Sequence, residues 1–284
     1  MKHTLCLADS GSTKTDWMIV VDDHMHCRFQ TSGLNPSLSD DDGLMKILDE
    51  EFLTCCGSRL DVHSVDTVRF FGAGCRGDAA CRMSNLLHRV MPNAGVVEVE
   101  SDMLGAARML CGDKPGIVCI LGTGSNSCYY DGNEIRSNVS PLGYILGDEG
   151  SGAVLGRRLI GDVFKRQLSP ELCKSFHEDY PCSLDEIIGK VYRGPAPNRF
   201  LASFTYFLSK NIQSKEIQEI VEDEFRNFIR RNVSSYQYRN LPLHFTGSIA
   251  WYFREQLQKV VEQEGYLIAD IVKQPLDAFL RTGK

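Results

Sequence analysis

The chain has 284 residues, of which 43% are hydrophobic and 24% charged, with a formal net charge of −6. This is the make-up of an ordinary globular protein, long enough for two domains rather than one core. The acidic balance argues against a surface built for nucleic acid or anionic lipid, and no apolar run approaches the ~20 residues that span a bilayer.

The apolar run 5–8 is too short for a signal-peptide core and leads straight into a charged motif, so the chain reads as cytoplasmic. Its eleven cysteines include no C-x-x-C pair, and Cys6, Cys119 and Cys128 fall inside strand patterns. They are expected to be reduced, small hydrophobic residues rather than a disulfide framework or a zinc or iron–sulfur site.

The chain opens with strands at 4–8, 17–21 and about 27–31, with D-S-G-S-T-K-T-D (9–16) between the first two. That order reads as an antiparallel meander. A helix capped within 39–42 follows to about 53, then a strand at 67–71, a helix at 78–90, a strand at 95–100 and a helix from Asp102 to about 110. The order βββαβα then begins again. Strands at 117–121, 126–130 and from 135 enclose G-T-G-S-N, and a helix spans 149–164. Residues 166–240 are helical by pattern and have no counterpart in the first half. Strands at 241–245 and 267–271, a helix at 249–262 and a last helix near 275–280 complete the second round. The architecture repeats with little sequence identity.

Two turns carry the chemistry. Asp9-Ser-Gly-Ser-Thr-Lys-Thr-Asp16 packs small and hydroxyl residues between strands, offering N–H and O–H groups to phosphate oxygens and a carboxylate to hydrated Mg²⁺. Alone it fits a polar hairpin equally well, and it is no Walker A loop. Gly122-Thr-Gly-Ser-Asn126 is the same kind of turn at the equivalent place in the second half, and the pair is more specific than either.

Gly72-Ala-Gly-Cys-Arg-Gly77 matches G-x-G-x-x-G, but it follows a meander rather than opening βαβ alternation, so a tight strand-to-helix turn is the better account. From its position alone Asp102 reads first as a helix N-cap, a job Ser101 could share, and only second as a general base. Asp148 and Glu149 read as helix-start acids or as metal or substrate ligands.

Together these motifs resemble the sugar kinase, actin and heat-shock-chaperone ATPase superfamily, and within it the N-acetylglucosamine kinase branch grouped with BadF/BadG-type ATPases. D-S-G-S-T-K-T-D and L-G-T-G-S-N match the family's two phosphate motifs, and S-D-M-L-G-A-A its base-bearing segment. F-T-G-S-I corresponds to the adenosine motif, with Thr246 where a glycine is usual, and L-G-D-E-G-S-G is the most specific match.

The resemblance implies an α/β fold of two ribonuclease-H-like lobes, each βββαβα, that close on ATP, Mg²⁺ and a small amino sugar. The lobes would span 1–103 with 273–284, and 104–272 with a helical insert at about 166–240. Homodimers are common in the family.

By the same resemblance Asp102 is the catalytic base. Ser10, Gly11, Ser12, Thr13, Lys14, Gly122, Thr123, Gly124, Gly247 and Ser248 bind nucleotide. Asn35, Thr123, Asn126, Gly143 and Asp148 contact sugar, and Asp9 and Asp148 serve the metal. The implied reaction is phosphorylation of N-acetylglucosamine at its 6-hydroxyl. The alternatives are a kinase for N-acetylmuramic acid or glucosamine, and an ATPase activator that phosphorylates no sugar. The activators bridge an iron–sulfur cluster, and the nearest candidates here, Cys128 and Cys173, sit in no convincing glycine-flanked motif.

Overall fold

The computed structural model describes residues 3–11, 13–57 and 59–282. The chain divides into two compact units, Met1–Asp113 with Pro275–Lys284, and Lys114–Gln274.

The first unit is built on β1 (Thr4–Ser10), β2 (Lys14–Val21), β3 (His24–Ser32), β4 (Thr67–Gly72) and β5 (Val96–Ser101), in the sheet order β3-β2-β1-β4-β5. The meander β1-β2-β3 is antiparallel, and β4 and β5 join parallel to β1. Central β1 is buried on both faces, as its run T-L-C-L-A predicts, whereas edge strand β3 is largely exposed.

The helix expected at 42–53 is α1 (Asp41–Ile47), capped by Asp40. It passes through a π-helical turn, Leu48–Phe52, into α2 (Leu53–Cys56). α3 (Asp78–Val90) and α4 (Asp102–Cys111) follow β4 and β5. Trp17 anchors the core, its ring 4.5 Å from that of Phe52 and 5.9 Å from that of Phe70, and its indole N–H donates to Thr31 Oγ1 at 2.9 Å.

The second unit repeats the topology with β6 (Gly116–Leu121), β7 (Ser125–Tyr130), β8 (Ile135–Val139), β9 (Leu243–Thr246) and β10 (Ile268–Val272), in the order β10-β9-β6-β7-β8. After β8 come α5 (Gly143–Leu146) and α6 (Gly152–Phe164), then the insert: α7 (Pro170–Asp179), α8 (Leu184–Arg193), α9 (Pro197–Ser203), α10 (Thr205–Lys210) and α11 (Lys215–Arg231). Phe176, Phe204, Phe207, Phe225 and Phe228 from the insert join Phe245 and Phe253 in one buried cluster.

The helix expected at 249–262 is two, α12 (Ser248–Tyr252) and α13 (Arg254–Gln263), parted at Phe253. The last helix among the described residues is α14 (Leu276–Thr282), which packs on α4 in the first unit. There Arg28 of β3 holds Asp277 at 2.6 Å.

No helix among the described residues is long and apolar enough to cross a membrane.

Candidate active site

In the first unit the candidate residues collect at the carboxyl ends of the parallel strands β1, β4 and β5. The ladder places Asp9 beside Phe71, Ser10 beside Gly72, and Gly72 beside Ser101. The strands persist further than the sequence pattern suggests, so Ser10 and Lys14 lie in β1 and β2 and the turn is shorter than the motif. It closes through Gly11 N–H donating to Lys14 O at 3.0 Å, and Thr13 O accepts from Gly33 N–H at 3.1 Å. Ser12 lies outside the described residues.

The Ser10 hydroxyl is buried and turned inward. It accepts from Leu34 N–H at 3.0 Å and lies 2.7 Å from Thr15 Oγ1, pinning the 33–35 loop beneath the turn. That loop presents Asn35, which is buried, with its Oδ1 accepting from Ser37 N–H at 3.0 Å. Gly74 lies against it with a φ of +79°, and a Cβ there would stand 2.2 Å from Asn35 Oδ1. The G-A-G-C-R-G run is thus a turn from β4 into α3, as expected, and it also packs against a candidate sugar ligand.

Asp102 is the first residue of α4, and Ser101 does the capping: its Oγ accepts from Leu104 N–H at 3.3 Å. The Asp102 carboxylate takes the Met103 N–H at 2.9 Å. Burial raises its pKa above the ordinary carboxylate value, opposed by that N–H and by the positive charge of Arg76. Asp9 is pushed up to about 7, first by burial, then by Asp102 and by Asp16, with Lys14 and Arg28 pulling the other way. Asp16 is 2% exposed, paired with Lys14 Nζ at 2.8 Å and accepting from Gln30 Nε2 at 2.6 Å. Arg76 and Asp16 are charges that sequence reasoning left unassigned, although both stand inside motifs it singled out.

In the second unit the Gly122–Gly124 turn closes through Gly122 N–H to Gly124 O at 2.9 Å. The start of α6 docks on it: Gly152 N–H donates to Gly122 O at 2.8 Å and Ala153 N–H to Thr123 O at 3.1 Å. Asp148 sits against the same turn. Its Oδ1 accepts from Ser125 N–H at 3.3 Å, and a Cβ on Gly124 would lie 3.1 Å from its Oδ2. Burial pushes Asp148 up to about 6, opposed by Ser125 N–H and assisted by the charge of Glu149. Its φ of +54° is unusual for a non-glycine residue, as is the +60° of Leu142 just before Gly143. The segment is held in that shape by Asp148 N–H to Pro141 O at 2.8 Å.

Glu149 is occupied elsewhere, paired with Arg231 Nε at 2.5 Å. α6 therefore starts at Gly152, capped by Ser151, rather than at Glu149. Asn126 Oδ1 accepts from Asn138 Nδ2 at 2.8 Å, a cross-strand partner with no signature in the spacing. Gly247, with a φ of +111°, brings the backbone so near β6 that a Cβ would meet Leu121 O at 2.2 Å, and Ser248 opens α12 in an exposed position.

No family model matches the chain, and no curated protein matches it. Among solved structures, a Porphyromonas gingivalis protein provisionally assigned as an N-acetylglucosamine kinase is 45% identical over 98% of each chain, with a TM-score of 0.94. A Chromobacterium violaceum protein with the same provisional assignment is 16% identical over 99% of each chain, with a TM-score of 0.76. A Streptomyces griseus glucokinase of the ROK family, solved with glucose and AMPPNP, is 15% identical over 98% of this chain and 96% of its own, at a TM-score of 0.60. These last two speak for the fold alone, two α/β units each built on a five-stranded sheet. At 45% identity across nearly its whole length, the chain belongs to the N-acetylglucosamine kinase family.

Proposed function

We propose that the chain transfers the γ-phosphoryl group of ATP to the 6-hydroxyl of N-acetylglucosamine, with Asp102 accepting the hydroxyl proton. The observation that carries this reading is the division of labour at the start of α4. Ser101 caps the helix, which leaves Asp102 a raised, proton-seeking carboxylate at the carboxyl edge of the sheet. A carboxylate whose pKa is lifted toward the working pH is a better base than one held low by a cap.

The first turn, through Gly11, Thr13 and Lys14, and the second, Gly122 to Gly124, would hold phosphate oxygens, and Gly247 with Ser248 would hold the rest of the nucleotide. Asn35, Thr123, Asn126, Gly143 and Asp148 would orient the sugar.

Asp9 fits a hydrated Mg²⁺. Burial and two neighbouring acids raise its pKa to about 7, a strain that a cation would relieve. Among the described residues there is no cluster of three metal-ligating side chains. Phosphate and water would then complete the coordination, as magnesium commonly allows. When bound, the ion neutralises phosphate charge. Asp148 is a second candidate for the metal, although its contact with Ser125 N–H and the glycine turn suits a sugar hydroxyl better.

The test is ADP release from Mg·ATP with and without N-acetylglucosamine, with the product's phosphate located by NMR. Strong sugar-dependent release and a 6-phosphate are expected. Release that ignores the sugar would overturn the reading.

A further inference from the structure

Glu149 stands between Asp148 and Gly150, both in the left-handed region with φ of +54° and +72°. Such a shape at a non-glycine residue persists only where its surroundings over-determine it. Part of the restraint is local: Asp148 N–H donates to Pro141 O at 2.8 Å, and Ser151 N–H to Asp148 O at 3.0 Å. The rest comes from α11, far along the chain. Gly150 lies flat on that helix, where a Cβ would stand 3.1 Å from Cβ of Phe228 and 3.5 Å from Cδ1 of Phe225, both buried. At the carboxyl end of the same helix each oxygen of Glu149 has its own donor. Arg231 Nε lies 2.5 Å from Oε1, and Asn232 Nδ2 donates to Oε2 at 3.3 Å. Asn232 is buried, and its Nδ2 also reaches Phe228 O at 3.3 Å. A carboxylate in this place faces the negative end of the helix dipole. Arg231 supplies the charge that offsets it, whereas Asn232 supplies one neutral hydrogen bond. α11 is in turn tied to α6 by Arg158, which pairs with Asp223 at 2.9 Å and with Glu224 at 3.4 Å.

We propose that Arg231 and Asn232 are positioning residues for sugar binding: by seating Glu149 on the end of α11, they fix the backbone that aims the Asp148 carboxylate at the sugar. The proposal rests on the reading of Asp148 as a sugar ligand. Glu149 spends both oxygens on α11, so its part in the G-D-E-G turn is anchorage rather than ligation. The helical insert thereby takes a share in sugar affinity although Arg231 acts only through Glu149. Among the described residues the Arg231 guanidinium pairs with Glu149 and with neither phosphate turn, so its loss should be felt by the sugar and not by the nucleotide. A side chain freed at Glu149 releases the left-handed turn to relax, and a shift of about 1 Å in a ligand is enough to weaken binding severely.

The experiment is calorimetry on the full chain with N-acetylglucosamine and, separately, with Mg·ATP, with melting temperature as the check on folding. The chains are wild type, Arg231→Met, Arg231→Lys, Asp148→Asn, and Arg231→Met combined with Asp148→Asn. Arg231→Met should weaken the sugar by about tenfold in Kd and leave ATP within about twofold. Arg231→Lys keeps a cation beside Glu149 and should recover most of the loss. In the Asp148→Asn chain, Arg231→Met should add less than about twofold, because the ligand it positions is already gone. An unchanged sugar Kd in Arg231→Met, while Asp148→Asn weakens it, would overturn the proposal. So would additive losses in the double variant, a lysine no better than methionine, or equal losses for sugar and ATP with a lowered melting temperature. Asp148→Asn with an unchanged sugar Kd, or a wild type that binds no N-acetylglucosamine, would instead overturn the reading beneath it, and the proposal with it.

Discussion

Asp9 and Asp16 face each other directly across the β1–β2 ladder, so two carboxylates share one face of the sheet on adjacent strands. Like charges in that position repel. Asp16 is held by the Lys14 ammonium and a hydrogen bond from Gln30, whereas Asp9, raised first by burial and then by Asp102 and Asp16, carries the heightened proton affinity.

This sets a pH dependence. Because the folded chain raises Asp9 from its ordinary value to about 7, it holds that proton more tightly than the unfolded chain does between pH ~4 and ~7. Stability contributed here is therefore lost as pH rises through that window, and Asp148, raised to about 6, acts in the same direction. Asp9→Asn should be more stable than wild type at pH ~8, by on the order of 1–3 kcal/mol, and nearly equal to it at pH ~4.5. Denaturant titrations at the two pH values, without divalent cation, read this directly. A gap that does not change with pH would contradict it.

Asp102→Asn keeps the shape of the helix start and the Ser101 cap while removing the basic oxygen. Turnover should fall by about 10²–10⁴-fold, with the Kd for ATP within about twofold of wild type. Calorimetry for binding and a coupled assay for turnover separate the two. Near-normal turnover would remove Asp102 from the mechanism.

Gly74→Ala tests Asn35 without touching it. The added methyl would stand 2.2 Å from Asn35 Oδ1 and 2.8 Å from Ser37 Oγ, at a φ of +79° that alanine resists. Asn35 must move, and KM for the sugar should rise by about tenfold or more while KM for ATP holds. Equal loss for both substrates would mean a damaged fold rather than a displaced ligand.

Thr246 is 1% exposed, and among the described residues its Oγ1 has no hydrogen-bond partner. An orphaned buried hydroxyl costs stability, so Thr246→Val should stabilise the chain by about 1 kcal/mol. Thermal melting of the sugar-free, nucleotide-free protein measures it, and a lower melting temperature would reveal a partner for the hydroxyl.

The strands and turns were legible because buried β-branched runs punctuated by glycine leave few alternatives. The repeat was legible too: β1-turn-β2 and β6-turn-β7 occupy matching places in two sheets of matching order. Asp102 was ambiguous for a physical reason, since a short acid at a helix start reads as a cap before it reads as a base. The Ser101–Leu104 bond gives the cap to Ser101 instead.

The α6 boundary was misplaced because Glu149 looks like a first-turn acid, whereas its partner is Arg231 at the far end of α11. A left-handed leucine such as Leu142 leaves no mark in sequence at all, and neither does the Asn126–Asn138 pair across two strands.

The return of α14 to α4 makes the first unit discontinuous, with the second unit inserted between its pieces. On the ribosome the sheet of the first unit emerges before the second unit, but the helix that covers α4 and supplies Asp277 to Arg28 is made only after that unit. The inserted unit can be completed first, and the unit that begins the chain can only be finished after it. A nascent chain stalled after β10 would hold a finished second half and an unclosed first one.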